Sequence, residues 1–173
     1  MTITLNQDLQ GRILDLGGGG EGVVGRRWGR QVTAIDNRQE ELDEAPDCCE
    51  KRLMDAAALD FPDAAFDHVT CFFSLLFMDR DTQARAIREA ARVLRHGGCL
   101  HIWDALVEQA APDPFLIDLD IEIAGTPLHT TYGILKEDGA QSAGGFTAMA
   151  EAAGLRPETA EASSRTFYLR FHK

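Results

Sequence analysis

The sequence has no apolar run approaching the roughly 18 residues that cross a bilayer, so no membrane partner is expected. It is also poor in positive charge. Lys and Arg number 17 against 28 Asp and Glu, a formal charge of −11. Such a surface repels phosphate backbones, which argues against nucleic acid and leaves a small molecule as the expected partner. The one basic cluster, Arg26, Arg27 and Arg30 in "GRRWGR", reads as a solvated helix face. Cysteine is scarce: Cys48, Cys49, Cys71 and Cys99 form no C-x-x-C pair and have no His at zinc-ligand spacing. That predicts no structural disulfide and no metal. The opening "MTITLNQDLQGR" lacks a basic segment followed by an apolar one, so no secretory leader is expected and the expected location is cytoplasmic.

What is present suits one α/β domain over residues 1–173. Hydrophobic residues make up 45% of the chain, enough for a core. "RILDLG" is an apolar run stopped by glycine, a buried strand. A short helix follows over about 22–28, then the strand "QVTAID", the polar helix "RQEELDEA" and the strand "EKRLMDA". "FDHVTCFFSLLFM" reads as a strand with Val69, Cys71 and Phe73 on one face and Phe72 on the other. In "DRDTQARAIREAARVLRHGG" the apolar Ala84, Ile87, Ala91 and Leu94 recur at helical spacing. Asp79 or Asp81 can cap its start, and Arg95, His96 and Gly97 suit its end. "CLHIWDA" is a fifth strand. Strand and helix thus alternate over 11–105, the pattern of a parallel sheet covered on both faces.

The last third departs from that rhythm. Ile117, Leu119, Ile121 and Ile123 alternate with Asp118, Asp120 and Glu122, a half-buried strand that "AGTP" turns into a second one. This predicts a β-hairpin inserted after the fifth strand, within an insert over 105–140. A helix ending at Gly154 follows. Two last strands, joined by Ser163 and Ser164, are too close for a crossover helix and must be antiparallel.

The four consecutive glycines of "ILDLGGGGEGVVGRRWG" admit two readings. Gly17, Gly19 and Gly22 satisfy G-x-G-x-x-G, and Asp36 at the next strand end would hold a ribose, as in an NAD(P)-dependent oxidoreductase. Alternatively, Asp15, Gly17 and Gly19 form D-x-G-x-G. Asp55 and Ala56 then close the third strand, and the final antiparallel pair is unlike a sixth parallel strand. In the order of these motifs the chain resembles the class I S-adenosylmethionine-dependent methyltransferases over about 11–173. The resemblance implies a Rossmann-like, seven-stranded, mostly parallel sheet with an antiparallel last strand and helices on both faces. It implies S-adenosylmethionine as cofactor and direct methyl transfer to an acceptor, here a small molecule. The alternative from another class is a non-catalytic protein that binds the same cofactor.

The resemblance also implies roles. Asp15 would face the cofactor's amino group, and backbone N–H groups of Gly17, Gly18, Gly19 and Gly20 at a helix N-terminus would meet its carboxylate. Asp36 would accept from the ribose hydroxyls. Asn37 or Arg38 would lie on the adenine, Asp55 and Ala56 at its amino group, and Phe72, Phe73 and Ser74 near the methionine part. Glu21 departs from the family pattern, which has glycine there; outward orientation is the expectation, since inward it would face the cofactor's carboxylate.

No motif fixes a catalytic residue. The candidates are Asp104 after the fifth strand, and His129 and Tyr132 in the hairpin, with Thr130 and Thr131 as substrate contacts. The hairpin is read as a substrate-side lid or a homodimer contact. His68 and His101 read as core or edge residues.

Overall fold

The computed structural model describes residues 2–108, 113–135 and 140–173; the remaining parts of the expected 105–140 insert, 109–112 and 136–139, lie outside the described residues. Strand β2 (Ile13–Leu16) is buried on both faces, as a central parallel strand must be. It is followed by α1 (Val23–Trp28), β3 (Val32–Asp36), α2 (Gln39–Glu44), β4 (Glu50–Leu53) and β5 (Phe66–Phe72). Then come α3 (Arg80–Val93), β6 (Leu94–Ala105), the hairpin β7 (Phe115–Ile123) and β8 (Thr126–Ile134), α4 (Ala143–Ala152), β9 (Arg156–Ala162) and β10 (Thr166–His172).

The main sheet has seven strands in the order β4-β3-β2-β5-β6-β10-β9. Strand β10 is antiparallel to both neighbours, and the other pairings are parallel. The order reverses between β2 and β5, which opens a crevice at the carboxyl ends of those strands.

Two apolar layers flank this sheet. On one face Ala86, Ile87, Ala90 and Ala91 of α3, with Phe146 and Ala150 of α4, pack on Leu14, Leu16, Val69, Cys71, Leu100 and Ile102. On the other, Val23, Val24 and Trp28 of α1 meet Ile13, Phe72, Trp103 and Tyr168. The hairpin completes that second face. Its inward row Ile117, Leu119, Ile121 and Ile123 is buried in the same layer, while Asp118, Asp120 and Glu122 are exposed. A short N-terminal strand β1 (Thr2–Thr4), without a sequence signal of its own, pairs parallel with β7 to make a second sheet of order β1-β7-β8. The apolar row of the hairpin is therefore consumed within the chain.

Three local expectations are corrected. Helix α3 is capped by Asp79, whose carboxylate accepts from the Thr82 N–H at 2.7 Å, but it ends at Val93 and not at Gly97. The Lys173 ammonium donates to the Arg92 and Leu94 carbonyls at 3.2 and 2.6 Å, and Arg95 and His96 follow Leu94 into strand β6 instead. The buried stripe of α3 runs through Ala86 and Ala90, with Ala84 at its margin. Finally, Phe73 shares the face of Phe72 and not that of Val69 and Cys71. The strand ends at Phe72, and a left-handed turn at Phe73 (φ +49°) breaks the alternation.

Candidate cofactor cleft

The reversal of strand order leaves an open cleft of about 840 Å³. Its floor is made where β2, β3, β4 and β5 stop, and each strand end contributes a side chain because the next segment turns away. Asp15, Gly17, Gly18, Gly19, Asp36, Asn37, Asp55, Ala56, Phe72, Phe73 and Ser74 all line it. Those are the eleven positions nominated from the sequence as cofactor contacts, drawn into one cavity by four separate loops.

The glycines prove to be required first by the protein's own packing. At Gly17, with φ +73°, an added Cβ would collide with Ser74. At Gly19 it would stand 2.5 Å from the Glu41 Cβ and 3.0 Å from an Asp36 carboxylate oxygen. The loop is folded back on β3: the Gly17 and Gly18 N–H groups both donate to the Ile35 carbonyl at 2.9 Å, and that of Gly20 to the Glu41 carbonyl at 2.8 Å. This corrects the expectation that the whole loop offers its N–H groups to a ligand. Of the four, Gly19 is the one whose N–H is not turned inward in this way. Helix α1 begins at Val23, beyond the loop, with Gly22 left-handed at its cap.

The acids differ in their surroundings. Asp15 is 2% exposed and accepts a 2.7 Å bond from the Thr70 hydroxyl. Burial pushes its carboxyl up to about 7; Thr70 opposes the rise and the nearby Asp36 adds to it. Asp36 is half-buried, and one of its oxygens accepts the Arg38 N–H at 3.0 Å. Asp55 is exposed and caps its own turn through the Ala57 N–H at 2.8 Å. The Ser74 hydroxyl is buried at the cleft and has no hydrogen-bond partner among the described residues. A buried polar atom in that state costs about 1–3 kcal/mol, which a ligand group could relieve.

The opposite wall includes Thr131, Tyr132 and Gly133 of the hairpin, and one of its residues departs from expectation. Glu21 lines the cleft and is not turned out to solvent. Its carboxylate accepts from the Thr130 hydroxyl, and from the Tyr132 hydroxyl at 3.3 Å. This ties the glycine loop to the hairpin. The Tyr132 ring stacks on Phe73 with centroids 5.5 Å apart, and Phe77 meets its edge at 6.3 Å. Met54, Met78 and Glu41 also line the cleft. Sequence spacing carried no signal for Glu21 joining residues more than a hundred positions away.

The catalytic candidates separate. Tyr132 lines the cleft, but burial and the adjacent Glu21 push its phenol well above the usual range, so it stays protonated. His129 alternates to the outer face of β8, where it pairs with Asp120 at 2.9 Å, outside the cleft lining. Asp104 lies inside β6 and not after it; alternating with Trp103 and Ala105, it points to the α3 and α4 side. There it is fully buried and accepts from Gln141 at 2.9 Å. Thr130 is taken by Glu21, and Thr131 lines the cleft while donating to Asp118 at 2.7 Å.

Comparison with known proteins agrees with this geometry. Residues 14–102 match the family model described as a methyltransferase domain. A curated relative, 27-O-demethylrifamycin SV methyltransferase of Amycolatopsis mediterranei (strain S699), is 32% identical over an alignment of 162 residues that covers 87% of this chain. The chain spans 56% of that relative's length. Among solved structures, an S-adenosylmethionine-dependent methyltransferase of Methanosarcina mazei superposes with a TM-score of 0.67 at 18% identity, covering 95% of this chain and 94% of that one. The [4+2]-cyclase SpnF superposes with a TM-score of 0.62 at 29% identity, covering 88% of this chain and 55% of that one.

Proposed function

The chain belongs to the class I S-adenosylmethionine-dependent methyltransferase family, and from that premise we propose that it methylates a small organic acceptor. The observation that carries the proposal is the single cleft in which three strand-end carboxylates, the Gly17–Gly19 backbone and the orphaned Ser74 hydroxyl converge. This donor set fits the cofactor's groups one by one. Asp15 takes the ammonium, which restores the charge that burial suppresses. The Gly19 N–H and Ser74 hydroxyl suit the carboxylate. The free oxygen of Asp36 accepts from the ribose, and Asp55 with Ala56 meets the adenine amino group, with Asn37 against its ring.

Bound there, the cofactor supplies an activated methyl group on a sulfonium. The chain's own residues then have to orient and enclose, which is where most of the rate of such a displacement arises. Phe73, Phe77 and Tyr132 form an aromatic wall on the hairpin side. Tyr132 keeps its proton and so positions the acceptor without acting as a base. The name of the curated relative describes methyl transfer onto a rifamycin oxygen, and on that likeness an oxygen nucleophile of a small organic molecule is the acceptor class.

The test is to incubate the protein with S-adenosylmethionine and a panel of phenolic and alcoholic acceptors and measure S-adenosylhomocysteine. Acceptor-dependent product supports the proposal. The likeness to a [4+2]-cyclase favours a second reading, in which the cleft binds the cofactor without transfer. Cofactor binding with no product from any acceptor would support it.

A further inference from the structure

We infer that His68, Cys99 and His101 form a second site, for one zinc-type divalent cation, at the end of the sheet opposite the cleft. Sheet register builds it. Strands β5 and β6 pair His68 with Cys99, and β6 and β10 pair Cys99 with His172, so three strands place these residues in one row. His101 follows Cys99 by two positions and therefore shares its face. Two of the chain's five histidines meet there.

The distances suit a small ion. The ligand atoms of His68, Cys99 and His101 all lie within 4.8 Å of one another. His68 Nδ1 and His101 Nε2 are 3.2 Å apart. Tetrahedral zinc, with bonds of about 2.0–2.1 Å to nitrogen, sets its nitrogen ligands about 3.3 Å apart. The sulfur needs a shift of about 1 Å, within reach of a side-chain rotation. His101 also bonds the Tyr168 hydroxyl through Nδ1 at 2.9 Å, which fixes the ring with Nε2 toward His68, the outer-shell arrangement metal-binding histidines use.

The chemistry of the donors selects the ion. Two imidazoles and a sulfur favour zinc or cobalt over magnesium or calcium, which require oxygen ligands. The Arg170 guanidinium donates to Cys99 Sγ at 3.4 Å. Its Nε remains paired with Glu158 at 3.2 Å. His172 Nδ1 stands 3.5 Å from the same sulfur but on the far side from His68, grouped with Cys99 and Glu158 and outside the three-ligand cluster. The half-buried His68 leaves an entry path.

The experiment is a titration of the reduced, tag-free chain with Co²⁺, followed by absorbance. The expected result is a sulfur-to-cobalt charge-transfer band that saturates at one equivalent and is displaced by Zn²⁺. Cys99→Ser should abolish the band with the circular dichroism spectrum unchanged, and His68→Gln should weaken binding at least tenfold. Cys48→Ser/Cys49→Ser should keep the band intact. No band in the parent chain, a band that survives Cys99→Ser, or one lost in the Cys48/Cys49 variant would each overturn the proposal.

Discussion

The two walls of the cleft are built differently. The sheet wall is acidic and held by backbone: Asp36 and Asp55 each accept a local N–H, and Asp15 is buried against Thr70. The hairpin wall is aromatic and hydroxylic, and it reaches the glycine loop through Glu21. The first wall is set by strand ends: Asp15 is the last residue but one of β2, Asp36 closes β3 and Asp55 follows β4 by two residues. The second depends on contacts between segments more than a hundred residues apart. The difference suggests a division of work, with cofactor recognition on the sheet wall and acceptor recognition on the hairpin.

Substitutions can break or sharpen that division. The largest effect belongs to Asp15. Its carboxyl moves from an ordinary 3.8 to about 7 on folding, so between those values the folded chain holds a proton that the unfolded chain has released. Stability contributed at this site therefore falls as pH rises from about 4 to 7 and is level above, a loss of the order of 4 kcal/mol. Asp15→Asn should be more stable than the parent at pH 8 and similar at pH 4 by urea denaturation, while binding S-adenosylmethionine more weakly. Equal pH dependence in both proteins would contradict the buried-acid account.

Next is Asp36→Ala, which removes charge-assisted bonds worth about 1.5–3 kcal/mol and should raise the cofactor Kd roughly 10- to 100-fold. Tyr132→Phe is smaller. Loss of the phenol's bond to Glu21 should cost about 1 kcal/mol in stability, leave cofactor Kd unchanged and raise the acceptor KM several-fold. If it weakens the cofactor as much as Asp36→Ala does, the two walls are not functionally distinct. The smallest effect is expected for His129→Ala. It breaks an exposed pair with Asp120, should shift stability by less than about 0.5 kcal/mol, and should leave turnover unchanged.

The sheet wall was legible in the sequence because its signals are local. The runs that close on Asp15-Leu16-Gly17, Asp36-Asn37 and Asp55-Ala56 mark strand ends by local composition. The antiparallel final pair followed from the short Ser163–Ser164 connection, and the seven-stranded sheet was implied by the family resemblance. What stayed hidden was set by partners distant in sequence. Glu21 turns inward because hydroxyls of β8 bind it, and Asp104 turns away because its strand runs one residue further than its charge suggests. Phe73 changes face through one backbone angle, and α3 stops early, where the C-terminal Lys173 donates to the Arg92 and Leu94 carbonyls. The His68–Cys99–His172 row shows the same limit, since linear spacing cannot express a register across three strands.

The central claim is that the cleft holds S-adenosylmethionine, and parallel calorimetric titrations with S-adenosylmethionine, S-adenosylhomocysteine and NAD test it most directly. The account predicts stoichiometric binding of the first two, lost or much weakened in Asp36→Ala, and none of NAD. Binding of NAD with no heat from S-adenosylmethionine would contradict it.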